Sequence, residues 1–454
     1  MKTRRHFLRI GVQSLTAAGA LGALGKLGEI NALAAGGGYQ ALVCVYLGGG
    51  NDSHNMVVPL NTQTQAYATY SASRQGLAIP QGSLLPITNK NSETYGLHPN
   101  MPELQNLYNS GHAAILANTG MLVIPLLNKQ AYSAYPSGSP FLPVNLFSHS
   151  DQTSQWQTAY PNGLGSTGWG GRLADMMQSL NSSGQYPSVV NNGGCGPFCT
   201  GVQTLPGVVP TQGPAGLSGV GTNIARQNGM QQLLSFDNGL QLVQAANSIA
   251  NRGISQGSLL NNLLASAPAL QTAFPAGNPL ADQMKMVARI ISVHAQLGLT
   301  RQIFFCNLGG FDTHGSQAST QSPLLQQLSQ AVSAFYAATV ELGLAQSVTT
   351  FTASEFGRTV MPNGSAGTDH AWGSHHVVVG GSVVGADIYG SYPLLTLGNN
   401  NPLDVTGRGS LIPTTSVDQY AATLAQWFGV TPANLPAILP NIGNFTVQNL
   451  GFLG

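Results

Sequence analysis

The sequence predicts an α/β fold in three layers, a mostly parallel sheet with helices on both faces. Two observations carry that reading. Short apolar runs stop at glycine or polar residues, and helical repeats stand between them. A third observation bears on function: acids and histidines collect where the runs stop, and ligands of such sheets bind beyond the carboxyl ends of the strands.

The first run, "YQALVCVYLGGGND", is continuously apolar and closes on three glycines, as a buried parallel strand leading into a loop does. "HAAILANTG", "RQIFFCNLGGFDTH" and "SVTTFTASEFGRT" repeat the form. Met284, Val287, Ala288, Ile291 and Ala295 follow helical spacing, as do Leu324, Leu328, Ala331 and Phe335, and "VDQYAATLAQWFG" reads as a further helix. The stretch from about 191 to 278 is rich in Gly, Pro, Asn, Gln and Ser, and reads as an insertion or cap rather than an independent domain. Cys195 and Cys199 in "NNGGCGPFCTG" suit either a small disulfide ring or a metal half-site, whereas Cys44 and Cys306 sit in apolar runs as buried free thiols.

Residues 1–34 have the form of an export signal. Arg4 and Arg5 stand in a basic start, a weakly apolar Ala/Gly/Leu stretch follows, and Ala32-Leu33-Ala34 supplies a small-x-small cleavage site. Lys26 and Glu29 interrupt that stretch, which is too short for a membrane span. The reading is a twin-arginine leader, with the export machinery as partner and a periplasmic, cell-surface or secreted destination. Cleavage leaves 454 − 34 = 420 residues (35–454), ample for a buried core and predicted to be soluble. A net charge of +1 with only 7% charged residues gives no electrostatic case for nucleic acid or an anionic membrane as partner.

Against that charge-poor background "GTDHAWGSHH" gathers an Asp and three His. Asp52 and His54 follow the first strand, and His149 and Asp151 lie in "SHSDQ". Asp312 and His314 follow the third strand, Glu355 the fourth, and Asp369, His370, His375 and His376 make up the late cluster. Asp312 and His314 are two apart, so an extended segment points both the same way. Carboxylates gathered together need a cation between them, and mixed O and N donors without Cys suit a catalytic ion: zinc, manganese, iron, magnesium or calcium. Each has a plainer reading too. Asp52 or Asp151 would serve as a helix N-cap, and Glu355 would pair with Arg358.

Taken together, "YLGGGNDSHNMVVPL", "SHSDQ", "STGWGGRLAD", "LGGFDTH", "TASEFGRT" and "GTDHAWGSHHVVVGG" resemble, in order and over nearly all of the mature chain, the domain-of-unknown-function family 1501. That family is similar to a branch of the alkaline phosphatase and sulfatase superfamily. The resemblance implies an alkaline phosphatase-like sandwich with metal sites at the strand ends and hydrolysis of phosphate or sulfate esters. It implies Asp52, Asp312, His314, Glu355, Asp369 and His370 as ligands, with His376 assisting. Phe356 follows Glu355 where a ligating His is common, which weakens one of two metal sites. The implied nucleophile falls at a helix start, where Ser148, Ser150 and Thr153 stand; Ser150 is the choice, although the family pattern often has an apolar residue there. Arg172 is the candidate anion clamp, with a structural ion pair as its rival role.

The expected function is therefore an exported, metal-dependent hydrolase of phosphate or sulfate esters acting on a small-molecule or polymer substrate. The alternative is a non-catalytic cell-surface binding or assembly protein on the same fold. An oxidoreductase ranks last, because "GGG" at 48–50 lacks the Gly-x-Gly-x-x-Gly spacing of a dinucleotide site.

Overall fold

The computed structural model describes residues 38–454 except 164, 183, 214, 217–222 and 238; the leader lies outside the described residues. The main sheet contains β1 (Gln40–Gly48), β5 (Ala113–Gly120), β6 (Val189–Asn191), β7 (Gly207–Val208), β8 (Arg301–Gly309), β9 (Val348–Ala353), β10 (Ser374–Gly380), β11 (Ile388–Tyr389) and β12 (Thr415–Ser416). Their order is β11-β5-β10-β9-β1-β8-β6-β7, with β12 also on β5. β10 runs antiparallel to β5 and β9, and the other pairs are parallel. β2 (Val57–Asn61), β3 (Leu85–Thr88) and β4 (Thr94–Leu97) form a small separate sheet.

The central strands are apolar on both faces because both faces are covered. In β1, Ala41, Val43, Val45 and Leu47 enter one core and Leu42, Cys44 and Tyr46 the other. The label α1 is given to His149–Thr158, α2 to Trp169–Met177, α3 to Gln241–Ser266, α4 to Pro279–Ser292, α5 to Gln317–Glu341 and α6 to Val417–Trp427. α4 and α5 cover the first face through Met284, Val287, Ile291, Leu328 and Phe335. α2 and α6 cover the second through Trp169, Leu173, Tyr420 and Leu424. This is the three-layer α/β sandwich the sequence predicts. α4 ends at Ser292, so Ala295 falls in the turn beyond it. α6 begins at a capping box, Ser416 reciprocating with Gln419.

Within the 191–278 stretch, β7 extends the sheet edge, and α3 packs through Leu260, Leu263 and Leu264 onto the core that α4 and α5 build. All four cysteines are free; Cys44, Cys199 and Cys306 are buried, and the Cys199 N–H donates to the Cys195 sulfur at 3.2 Å. Among the described residues no helix is long and apolar enough to cross a membrane.

The sheet directions set the site. β1, β8 and β9 run parallel, so the segments after Gly48, Gly309 and Ala353 emerge at one edge; β10, antiparallel, receives the 368–373 loop at that same edge. Gly49 lies at φ +116°, and a Cβ there would sit 2.3 Å from the Asp312 nitrogen. Only glycine lets the loops after β1 and β8 approach so closely.

Candidate metal centre

Asp312 is the hub. It is half-exposed, and its Oδ1 lies 3.1 Å from His314 Nε2 and 3.4 Å from His370 Nε2. Its Oδ2 lies 3.4 Å from Nε2 of His149, the first residue of α1. The outer ring nitrogens are tied back. His149 Nδ1 is 2.9 Å from Glu355 Oε1, His370 Nδ1 is 2.8 Å from the Phe147 carbonyl, and His314 Nδ1 is 3.4 Å from Asp369 Oδ1. A proton on each outer nitrogen leaves the inner Nε2 as a lone-pair donor, the arrangement found around metal-ligating histidines.

His149, Asp312 and His370 each place one ligand atom within 4.8 Å of the others. Two atoms bound about 2.0–2.1 Å from one tetrahedral ion would stand roughly 3.3 Å apart, close to the spacings present here. His149 Nε2 is buried and has no hydrogen-bond partner. His314 shares Asp312 Oδ1 with His370, its Nε2 only 2.9 Å from that of His370. Two ring nitrogens at that distance share a proton or serve a cation. This donor set fits a divalent ion.

The carboxylates are held as anions. Burial pushes the Asp312 pKa up, but the Arg358 guanidinium at 3.0 Å and the neighbouring imidazoles outweigh it and hold the group below the ordinary carboxylate range. Burial likewise raises Asp369, and hydrogen bonds from Asn363 (3.0 Å) and Arg408 (2.6 Å) bring it below normal. For His370 burial lowers the pKa, only partly opposed by the Phe147 carbonyl, so the ring is biased toward its neutral, ligating form. Glu355 is almost fully buried, and its Oε1 also accepts the Gly49 N–H at 2.8 Å. It therefore orients His149 rather than pairing with Arg358, which instead bonds Asp312, the Gly49 carbonyl and Thr368.

The structure brings together Asp312, His314, Glu355, Asp369 and His370 of the expected ligand set. It separates Asp52. That side chain is fully buried, caps the following turn by accepting the His54 N–H at 3.2 Å, and its other oxygen takes Arg74 and Gln317. Arg74 supplies the positive charge a metal would have brought. Phe356 packs on Gly50 and against the rings of His149 (4.8 Å) and His370 (4.6 Å), an apolar wall beside the cluster. His376 is not an assisting group: it is fully buried between Trp156 and Tyr420, with neither nitrogen bonded.

Ser150 lies beside the cluster, but its hydroxyl is 3.2 Å from that of Ser148 and 3.3 Å from Asp151 Oδ2. Ser148 and Asn145 also donate to Asp151, whose carboxylate thus occupies the positive start of α1 where an anionic substrate was expected. Thr153 bonds Tyr46. Arg172 is no anion clamp and no ion pair. It is buried, and its guanidinium donates to the carbonyls of Ile438, Thr158 and Thr167 and to the Thr167 hydroxyl, which uses all five N–H groups. His149 belongs to the centre but not to the expected ligand set. Its signal was present in "SHSDQ", where the resemblance directed attention to the serine one residue on.

Several solved structures are similar to the chain at a low level. The C-terminal periplasmic domain of EcEptC from Escherichia coli is 8% identical over 89% of this chain and 87% of its own, with a TM-score of 0.37. The PsFucS1 sulfatase from Pseudoalteromonas sp. is 9% identical over 91% and 72%, with a TM-score of 0.34. A protein in the alkaline phosphatase superfamily from Vibrio parahaemolyticus is 10% identical over 87% and 67%, with a TM-score of 0.33. No curated protein matches the chain. The family model described as Protein of unknown function (DUF1501) matches residues 39–407, and the chain belongs to that family.

Proposed function

We propose that the chain is an exported hydrolase of phosphate or sulfate esters that works with one divalent ion. The observation that carries this is the ring of imidazoles around Asp312, inner nitrogens turned toward its carboxylate and outer nitrogens anchored. His149, Asp312 and His370 would hold the ion, and imidazole-rich donors favour zinc, manganese or iron over magnesium or calcium. A bound ion would polarise an ester oxygen and lower the pKa of a water. Glu355 and the Phe147 carbonyl fix two ligand rings, and Phe356 excludes water from one side. His314, half-exposed and backed by Asp369 at its outer nitrogen, is placed to take a proton from the attacking water at Nε2 and then return it to the departing alkoxide. Ser150, committed to Asp151, leaves water as the nucleophile. The twin-arginine leader and periplasmic or surface destination are part of the proposal.

The competing reading, a binding or assembly protein, is favoured by apolar side chains left exposed in the insertion, among them Val202, Val208 and Leu242. Metal content of the mature protein, measured beside an Asp312→Ala/His370→Ala variant, with turnover of aryl phosphate, phosphodiester and sulfate esters, decides between them. Metal with turnover, both lost in the variant, is the expected result. Metal without turnover supports the binding protein. A folded, metal-free wild type would remove the proposed centre altogether.

A further inference from the structure

Cys195 and Cys199 stand in the loop after β6, outside the metal cluster, and their spacing suits a disulfide ring or a metal half-site. The half-site lacks further ligands: among the described residues, no group of three His, Cys, Asp or Glu able to hold an ion includes either sulfur. The loop itself is tightly held. Asn191 Oδ1 accepts the N–H groups of Gly193 (3.1 Å) and Cys195 (2.9 Å). Gln157 Oε1 accepts the Phe198 N–H at 3.3 Å, and the Thr200 N–H closes on the Pro197 carbonyl at 2.9 Å. On the side of α2 there is no slack, since a Cβ at Gly168 would collide with the Phe198 backbone.

Within that loop the Cys199 N–H donates to the Cys195 sulfur at 3.2 Å. Such a contact keeps the two Cα atoms within about 7 Å, a span that a disulfide can bridge. An N–H aimed at a sulfur favours its thiolate, which makes Cys195 the nucleophile of the pair. Cys195 is also the one left partly open to solvent, whereas Cys199 is buried and burial pushes its thiol well above the ordinary range. The remaining cysteines compete poorly. Cys306 enters the core on the other face of the sheet, and Cys44, although in the same core as the pair, is pinned on β1 between β8 and β9. We propose that Cys195 and Cys199 form a thiol–disulfide exchange site, which closes to a five-residue ring on meeting an oxidising disulfide. The Cys195 thiolate attacks one sulfur of the donor disulfide and expels the other as a thiolate, leaving a mixed disulfide. The Cys199 sulfur gives up its proton and attacks the Cys195 sulfur, expelling the donor's second thiolate. The two departing thiolates take up the protons that the cysteines lose, so the donor is reduced to two thiols as the ring is oxidised.

The test is to reduce the folded protein, expose it to oxidised glutathione, count its thiols and map the cross-links by mass spectrometry of non-reduced peptides. Wild type should lose two of its four free thiols, with the new bond joining Cys195 to Cys199, and dithiothreitol should restore all four. Cys199→Ser should stop at one glutathione per chain, held on Cys195. Cys195→Ser should keep its remaining thiols reduced, and Cys44→Ser should close the ring as wild type does. Four thiols left free in the wild type, a bond from Cys195 to Cys44, or glutathione on Cys199→Ser anywhere but at Cys195 would each overturn the assignment.

Discussion

Lowering the pH should unfold this protein well before its carboxylates protonate, because four imidazoles are buried in their neutral form. Burial pushes His376 down to about 3, with neighbouring His375 adding to the effect. His54 falls to about 3 through burial and the nearby Arg74 charge, and His98 to about 4 through burial. His375 is also lowered well below its ordinary value, again by burial first, then by His54. In the unfolded chain each titrates near its ordinary value of about 6.5. The folded values are depressed, so the unfolded state binds the extra protons, and stability present above pH 7 is lost as the pH falls below about 6.5. At pH 5 each histidine has cost about 2 kcal/mol, roughly 8 kcal/mol for the four. Asp418 opposes them. Burial raises its pKa to about 7, so it contributes most below the unfolded carboxylate value and its contribution is lost as the pH rises through 7. Between pH 7 and 5 it returns about 2 kcal/mol. The net loss is about 6 kcal/mol, comparable with the whole stability of many domains.

Urea unfolding at pH 7, 6 and 5 measures this directly. The slope near pH 5 should correspond to uptake of about three protons on unfolding, four by histidines less one released by Asp418. His376→Phe, which keeps a ring between Trp156 and Tyr420, should reduce the uptake by one, and Asp418→Asn should increase it by one. A flat profile, or a His376→Phe slope equal to wild type, would refute the reasoning by showing that the buried rings are already protonated or held by an internal partner.

Glu355→Gln should keep the fold but weaken metal binding about 10- to 100-fold, because it loosens the hold on His149; competition with a chelating dye reads this out. Ser150→Ala should change turnover by no more than a few-fold, and a loss of several orders of magnitude would restore serine as the nucleophile. Arg172→Met should destabilise the protein by about 3 kcal/mol in urea titrations, since three carbonyls lose their donor, while turnover per folded molecule stays unchanged.

Legibility in the sequence tracked how local the determining physics was. β1, β8 and β9 are continuous apolar runs with polar stops, so strand type, burial on both faces and the shared site edge could all be read before the structure. Asp312 and His314 were legible as a pair two apart, and His370 through the oddity of its charge-poor neighbourhood. What was not legible depends on chain segments far apart. Arg74 reaches Asp52 across 22 residues, and Arg172 meets the Ile438 carbonyl across 266. Neither spacing leaves a local mark, and an arginine committed to backbone carbonyls looks in sequence like one waiting for an anion. His375 and His376 misled for a related reason: a β-strand alternates its side chains, and both neighbours here face closed cores rather than the loop edge.

The distribution of cations leaves room for one ion at the proposed centre and none at Asp52. Each acid at the strand ends has been given its own neutralising partner: Arg74 for Asp52, Arg358 for Asp312, Arg408 for Asp369. Glu355 has only His149, whose Nδ1–H it accepts. A second ion at Asp52 would have to displace a buried guanidinium and would find the Phe356 ring where a further ligand is needed. At Asp312 the guanidinium engages Oδ1 alone, and Oδ2 stays free toward the unpartnered Nε2 of His149. The remaining free lone pairs therefore lie at one place, between Asp312, His149 and His370, next to Glu355, the acid without a cation of its own.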